Sequence, residues 1–359
     1  MQKKSLEAID KNFKVERKVN REGLKFYDIE QQPFEIYGVY REGEKFRRMP
    51  EEVAKSTKND GVIALHTNTA GGRVRFRTDS PYVAIRVKLC DALRDMAKFS
   101  VTGALGLDMY VNYGDGEGDV YQHTFVAPPD LENGYESLKG EFKDDGMRDI
   151  TINLPLYGGV EKLYIGLDEN ANLEKASPYI NKKPIVYYGS SITQGGCASR
   201  AGNSYEGFIS RRFNCDYINL GFSGSARAED EMAEYISNLD MSIFVYDYEH
   251  NAPTIEYLKE THPKMFRKIR EKHPDLPIII MTSPRYFQPP QRGNWCGVVK
   301  ETYENAKAAG DKNVYFLDGK DLMALCKNEG TIDKTHPNDL GFFAIATTVG
   351  DVIEKIWNK

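Results

Sequence analysis

The hydrophobic period of this chain changes near residue 180, so the chain is not one repeating architecture. From about Phe13 to Leu167 the apolar residues recur every second position. Val74–Phe76, Tyr82–Val87, Leu107–Val111, Val120–Phe125, Ile150–Leu154 and Leu163–Ile165 read as short strands. Turn clusters such as Gly114-Asp115-Gly116-Glu117-Gly118 and Ala127-Pro128-Pro129-Asp130 separate them. Evenly spaced, half-buried strands of this kind predict a β-sandwich, jelly-roll-like. Asp149–Leu154, closed by Pro155, reads as an edge strand. From Pro184 onward, short apolar runs alternate with amphipathic stretches instead. Ile185–Tyr188, Tyr217–Leu220, Ile243–Tyr246, Ile278–Met281 and Val314–Leu317 read as buried strands. Between and after them lie three predicted helices. The first carries Tyr205, Phe208, Ile209 and Phe213 behind Asn203 or Ser204. The second carries Met265, Phe266 and Ile269 behind Thr261 and Pro263, and the third Phe342 to Ile356 behind Asn338. That alternation predicts a parallel sheet with helices on both faces, a three-layer α/β/α domain. The reading is a β-sandwich over 1–180 and an α/β domain over 181–359, with the linker within Leu167–Lys183.

Length and composition permit this and exclude other classes. The chain has 359 residues, room for two cores. Net charge is −5, which does not favour nucleic acid. No apolar run reaches the ~18–20 residues of a membrane span. The opening MQKKSLEAIDKNFKVE has no apolar core behind its lysines, unlike a secretory leader. The five cysteines, Cys90, Cys197, Cys215, Cys296 and Cys326, are widely spaced and form no C-x-x-C pair. Disulfides and zinc are therefore not expected, and a cytoplasmic setting is. A secreted or periplasmic setting would require a leader removed from this chain. Phosphate loops, H-E-x-x-H and EF-hand patterns are absent, so neither metal nor cofactor is expected.

In open α/β sheets ligands bind beyond the carboxyl ends of the strands. Ser190 and Ser191 follow the first strand, and Gly221-Phe222-Ser223-Gly224 follows the second. Glu249-His250-Asn251 lies past the third, and Asp333-Lys334-Thr335-His336-Pro337 precedes the last helix. These are the parts of an acyl-transfer site. A serine hydroxyl needs an imidazole to take its proton, and the imidazole needs an acid on its other nitrogen. Asp333 and His336 share one short loop. The N–H groups of Ser191 and Gly224 and the amide of Asn251 are the candidate donors to an oxyanion. His250 has no acid at comparable spacing.

Four blocks in this order resemble the SGNH, or GDSL-type, hydrolase superfamily. Gly189–Gly195 resembles G-D-S-I-T-x-G, which implies Ser191 as nucleophile. Asn219–Gly224 resembles the second block, which implies Gly224 as an oxyanion donor. Asn251 sits where the third block carries its oxyanion asparagine, and Asp333–Pro337 resembles D-x-x-H-P. Two departures stand out: Ser190 replaces the usual aspartate, and Asp247–Asn251 replaces G-x-N-D. Gly106-Leu107-Asp108-Met109-Tyr110 is similar to the G-x-D-L-Y motif of a two-domain subgroup that includes carbohydrate acetyl esterases. Asp108 and Tyr110 either reach the second domain or are ordinary strand positions. The resemblance implies hydrolysis of short acyl esters, acetyl on a carbohydrate foremost, without a cofactor. The partner is then a small-molecule or oligosaccharide ester, and a homo-oligomer stays open. Two other classes remain: a carbohydrate-binding protein that has lost turnover, and a lipid-directed esterase or thioesterase. Trp295, read in a long loop after the fourth strand, is either a sugar-stacking platform or a hydrophobic lid plug or domain contact. Glu249 is either a substrate contact or a solvated loop residue.

Overall fold

A computed structural model describes residues 6–90, 97–128, 131–143, 145–287 and 293–358. The N-terminal part holds two antiparallel sheets. One orders Leu24–Asp28, Gly159–Asp168, Val83–Cys90 and Gly134–Lys139 side by side. The other orders Leu173–Glu174, Arg73–Thr78, Arg148–Asn153, Leu107–Asn112 and Val120–Phe125, with Glu35–Tyr37 also paired to Arg73–Thr78. Val74, Phe76, Ile85, Val87, Met109, Val111, Ile150, Ile152, Leu163 and Ile165 are buried between them. This is the β-sandwich that the period of two implied. Arg148–Asn153 is a central strand, not an edge strand. It pairs with Arg73–Thr78 on one side and Leu107–Asn112 on the other. Pro155 does not interrupt that pairing because it lies past the last paired residue.

The C-terminal part is a parallel five-stranded sheet in the order Cys215–Gly221, Asn181–Gly189, Ile243–Asp247, Ile278–Met281, Val314–Leu317. In chain order this is 2-1-3-4-5, which places the topological switch point between Asn181–Gly189 and Ile243–Asp247. Successive side chains of these strands serve different cores. Ile185, Tyr187, Ile243 and Val245 join a core continuous with the sandwich interior and the helix Asp339–Trp357. Val186, Tyr188, Phe244 and Tyr246 join a second core on the opposite face. Burial on both faces explains why these strands read as unbroken apolar runs.

Three helical stretches interrupt the half that reads as strands: Glu51–Ser56, Asp60–Leu65 and Val101–Ala104. Met49, Ala54, Val62 and Leu65 are buried in the second core, against the α/β layer rather than inside the sandwich. Arg48 anchors that excursion. Its guanidinium donates to Gly221 O at 2.6 Å and Leu65 O at 2.7 Å, and lies over the Phe222 ring. Complete burial pushes it down to about 9. The helix expected to open at Thr261 spans Ile255–Lys272 instead and contains Pro263. Its true cap is Thr254, whose hydroxyl accepts the Tyr257 N–H at 3.1 Å. Leu173–Glu174, inside the expected linker, is itself a strand on the sandwich edge.

Candidate active site

Ser191 opens the one-turn helix Ser191–Gln194 directly beyond the first parallel strand. Ser190 caps that helix by accepting the Ile192 N–H at 3.2 Å. A serine therefore fills the structural place of the usual aspartate. Gly195 ends the turn at φ +91°, a conformation that favours glycine. The second strand must approach this turn closely. A Cβ on Gly221 would lie 2.1 Å from the Gln194 nitrogen. Asn219 joins the two segments, donating to Thr193 O at 2.6 Å and accepting the Gly221 N–H at 2.9 Å.

Three side chains form one hydrogen-bonded line. His336 Nε2 is 3.1 Å from Ser191 Oγ, and His336 Nδ1 is 2.9 Å from Asp333 Oδ2. The loop that carries them is closed by an antiparallel bridge between Thr331 and Pro337. Lys334 takes φ +65° within it, so Asp333 Oδ1 accepts the N–H groups of Thr335 at 3.0 Å and His336 at 2.8 Å. Partial burial alone would raise the Asp333 carboxyl. The His336 N–H, Lys98 and the imidazole outweigh it and hold the group well below the usual carboxylate range.

The three candidate oxyanion donors come from segments that follow the first three parallel strands. As the first helical residue, Ser191 has an N–H without an intrahelical acceptor. Gly224 takes φ +68°. The turn before it is held by Gln194, whose Oε1 accepts the Ser223 N–H at 2.9 Å while its Nε2 donates to Asn68 and Leu156 O. Asn251 Oδ1 accepts the Ala226 N–H at 3.3 Å, which ties Asn251 to the segment that follows Gly224. Nothing in the sequence marked Gln194 for this work, because it stands at a variable position of its motif.

Two family models match the chain. That of the GDSL-like lipase/acylhydrolase family covers residues 182–354, and that of the N-terminus of SGNH-hydrolase-type esterases, named GxDLY, covers residues 24–173. The chain belongs to the SGNH-type, GDSL-like esterases. It is a carboxylic ester hydrolase. A protein described as a GDSL-like lipase from Bacteroides ovatus is 28% identical with a TM-score of 0.81, over 93% of this chain and 98% of that one. A salicylyl-acyltransferase from a tetracycline biosynthetic pathway is 20% identical with a TM-score of 0.75, over 94% and 98%. An acetyl xylan esterase from the rumen bacterium Butyrivibrio proteoclasticus is 11% identical with a TM-score of 0.60, over 93% and 99%. These last two likenesses concern the fold. None of the curated proteins compared matches the sequence.

The two candidate substrate contacts, Glu249 and Trp295, are both packed into this esterase's fold. Glu249 is 1% exposed, and its carboxylate accepts the N–H and hydroxyl of Ser283 at 3.0 and 3.1 Å. It ties the third strand to the fourth and is not a solvated loop residue. Trp295 lies in the first turn of the helix Gly293–Ala308, half-buried against the second core, so the expected loop is a helix there. Residues 288–292 of that loop lie outside the described residues. Asp108 and Tyr110 do reach across. Asp108 is wholly buried, accepting the Asn153 amide at 2.8 Å and the Gly202 N–H at 2.9 Å, with Arg200 3.3 Å away. Tyr110 O–H also meets Arg200. Among the described residues, no group of three or more His, Cys, Asp or Glu is arranged to hold a metal ion. No helix there is long and apolar enough to cross a membrane.

Beneath the serine turn lies Asp247, which accepts the Thr193 hydroxyl at 2.9 Å. Burial pushes this acid up to about 8. The sign of its effect on stability follows directly. Between the unfolded value of about 4 and the folded value, the folded state keeps a proton that the unfolded state has lost. Stability therefore falls as pH rises through that window. Asp247→Asn keeps the acceptor for Thr193 and removes the ionisation. Urea midpoints of the variant relative to the wild type should rise from about pH 5 to about pH 8. A constant difference would mean that Asp247 is already ionised in the fold.

Proposed function

We propose that this esterase hydrolyses short acyl esters, acetyl foremost, on a carbohydrate through an acyl-enzyme at Ser191. The observation that carries the reading is the line Ser191 Oγ–His336 Nε2–His336 Nδ1–Asp333 Oδ2, at 3.1 and 2.9 Å. His336 Nε2 takes the serine proton as Oγ attacks the ester carbonyl. Asp333 orients the ring and stabilises the imidazolium. The N–H groups of Ser191 and Gly224 and the Asn251 amide hold the oxyanion. The imidazolium then returns its proton to the leaving alkoxide as the ester C–O bond breaks. Water repeats the sequence on the acyl-serine, releasing the acid and free Ser191.

The carbohydrate part of the reading draws on the fold shared with the acetyl xylan esterase. A direct test measures p-nitrophenol released from p-nitrophenyl acetate and from longer p-nitrophenyl esters, and acetate released from an acetylated oligosaccharide. The expected result is release from the acetyl substrates, with rates falling as the acyl chain lengthens. Rates that rise with chain length would replace the carbohydrate ester by a lipid or thioester. Binding of the oligosaccharide without release would make the protein a carbohydrate-binding one.

A further inference from the structure

One short segment of the sandwich touches the loop that carries Asp333 and the chain that follows Ser191. Lys98 Nζ lies 2.7 Å from Asp333 Oδ2, the same oxygen that holds His336 Nδ1. The Phe99 ring packs edge-on against Tyr157 at 4.5 Å, and Tyr157 O–H lies 3.5 Å from Ser191 O. The hydroxyls of Ser100 and Thr102 donate to Ser199 O. The N–H of Ser199 in turn reaches Asp339 at 2.8 Å, at the start of the helix that follows His336. The backbones also meet, since a Cβ on Gly103 would lie 2.1 Å from Ala198 O. A cation delivered this way stands on the acid of the hydrogen-bonded line.

We propose that Lys98 is a positioning residue of the site, holding Asp333 ionised and oriented and keeping His336 neutral, so that it can accept the Ser191 proton. This rests on the role given above to Ser191 and His336. An ionised aspartate on Nδ1 favours the imidazolium, and a lysine cation on the same carboxylate opposes it. The other groups facing the pair leave this part to Lys98. Cys197 is near enough to feel the Asp333 charge, but its thiol is pushed up to about 11, chiefly by burial, and is neutral. Arg285 approaches the loop from the fourth strand, 3.1 Å from the Thr335 hydroxyl and beside the His250 ring. Asp339 is taken by Ser199 and Asn203. Lys334 belongs to the turn itself and bonds through its backbone to Thr331.

The test compares wild type, Lys98→Met, Lys98→Arg and Ser191→Ala as full-length chains. Two rates are followed across pH: hydrolysis of p-nitrophenyl acetate and inactivation by a serine-directed fluorophosphonate. Removing the cation strengthens the imidazolium, so the acid limb of kcat/KM for Lys98→Met should move up by roughly half to one pH unit. KM for this neutral ester should change little, and Lys98→Arg should restore the limb. The Lys98 side chain is 60% exposed, so about 1 M salt should move the wild-type limb the same way without any substitution. An unmoved limb in both Lys98→Met and salt overturns the proposal. A wild type that is never labelled, or a Ser191→Ala variant with full activity, overturns the reading of the site itself and Lys98 with it.

Discussion

Replacing Ser191 with alanine should lower kcat by about 10⁴–10⁶-fold, the range found when a triad nucleophile is removed. The side chain makes one described hydrogen bond, to His336, so its loss should leave the fold intact. The Ser190 cap, the Gly196 N–H on Ser191 O and the Gln194 brace are all untouched by the change. Thermal midpoint and far-UV circular dichroism should therefore match the wild type. Some rate above that of water should persist, because the N–H groups of Ser191 and Gly224 and the Asn251 amide stay in place. The decisive measurement is the burst. Wild type mixed with p-nitrophenyl acetate should release about one p-nitrophenol per active site before steady turnover, wherever deacylation is the slower step. The variant should show no burst. A Ser191→Ala enzyme with wild-type turnover would remove the acyl-enzyme and return attention to a water activated directly by His336.

The second large effect is expected for Asp333→Asn, at about 10⁴-fold in kcat. Asparagine is nearly the same size, and its oxygen can still accept the N–H groups of Thr335 and His336. Its NH2 group, however, would face His336 Nδ1. That nitrogen would then become the acceptor, the ring proton would move to Nε2, and the imidazole could no longer take a proton from Ser191. The pH profile separates this from simple misfolding. Asp333 is held well below the usual carboxylate range, so it stays ionised wherever the protein works. The acid limb of wild-type activity should therefore follow a single ionisation, to which Asp333 does not contribute. A second group in that limb would show that Asp333 titrates with it. In stability the sign is the usual one for a depressed acid. Its contribution is present above the unfolded value of about 4 and is lost as pH falls below it, so the variant's deficit should shrink in acid.

How much of this was legible in the sequence depended on distance along the chain. Asp333 and His336 are three residues apart, and Ser191 lies two residues past a buried strand, so a local pattern was enough to single out all three. Ser190 was legible as a structural residue for the same reason, and it is the cap. Glu249 was misplaced because a carboxylate beside His250 and Asn251 looks solvated until Ser283, 34 residues on, is found holding it. Trp295 was misplaced because prolines and glycines just before it extended the apparent loop past the start of a helix. Pro263 had the opposite effect, suggesting a helix start in the middle of one. The segment Met49–Leu65 carries no period that reveals its partner, since burial patterns report that a face is covered but not by what.

Periodicity, turn residues and four short blocks thus determined the two architectures, where the buried strands lie along the chain and the three residues that line up at the site. Those properties are local: they follow from which side chains a strand, a helix or a turn can accommodate over a few residues. Only the tertiary structure decided that Lys98 reaches Asp333 across 235 positions and that Asp108 and Tyr110 grip the Arg200–Gly202 turn. Only it placed Asp247 under the serine turn and Asn251 beside Ala226. The first two depend on how the sandwich docks against the parallel sheet, and the last two on which strand ends that sheet brings side by side; both are set by whole faces and strand order, which no short stretch of sequence contains.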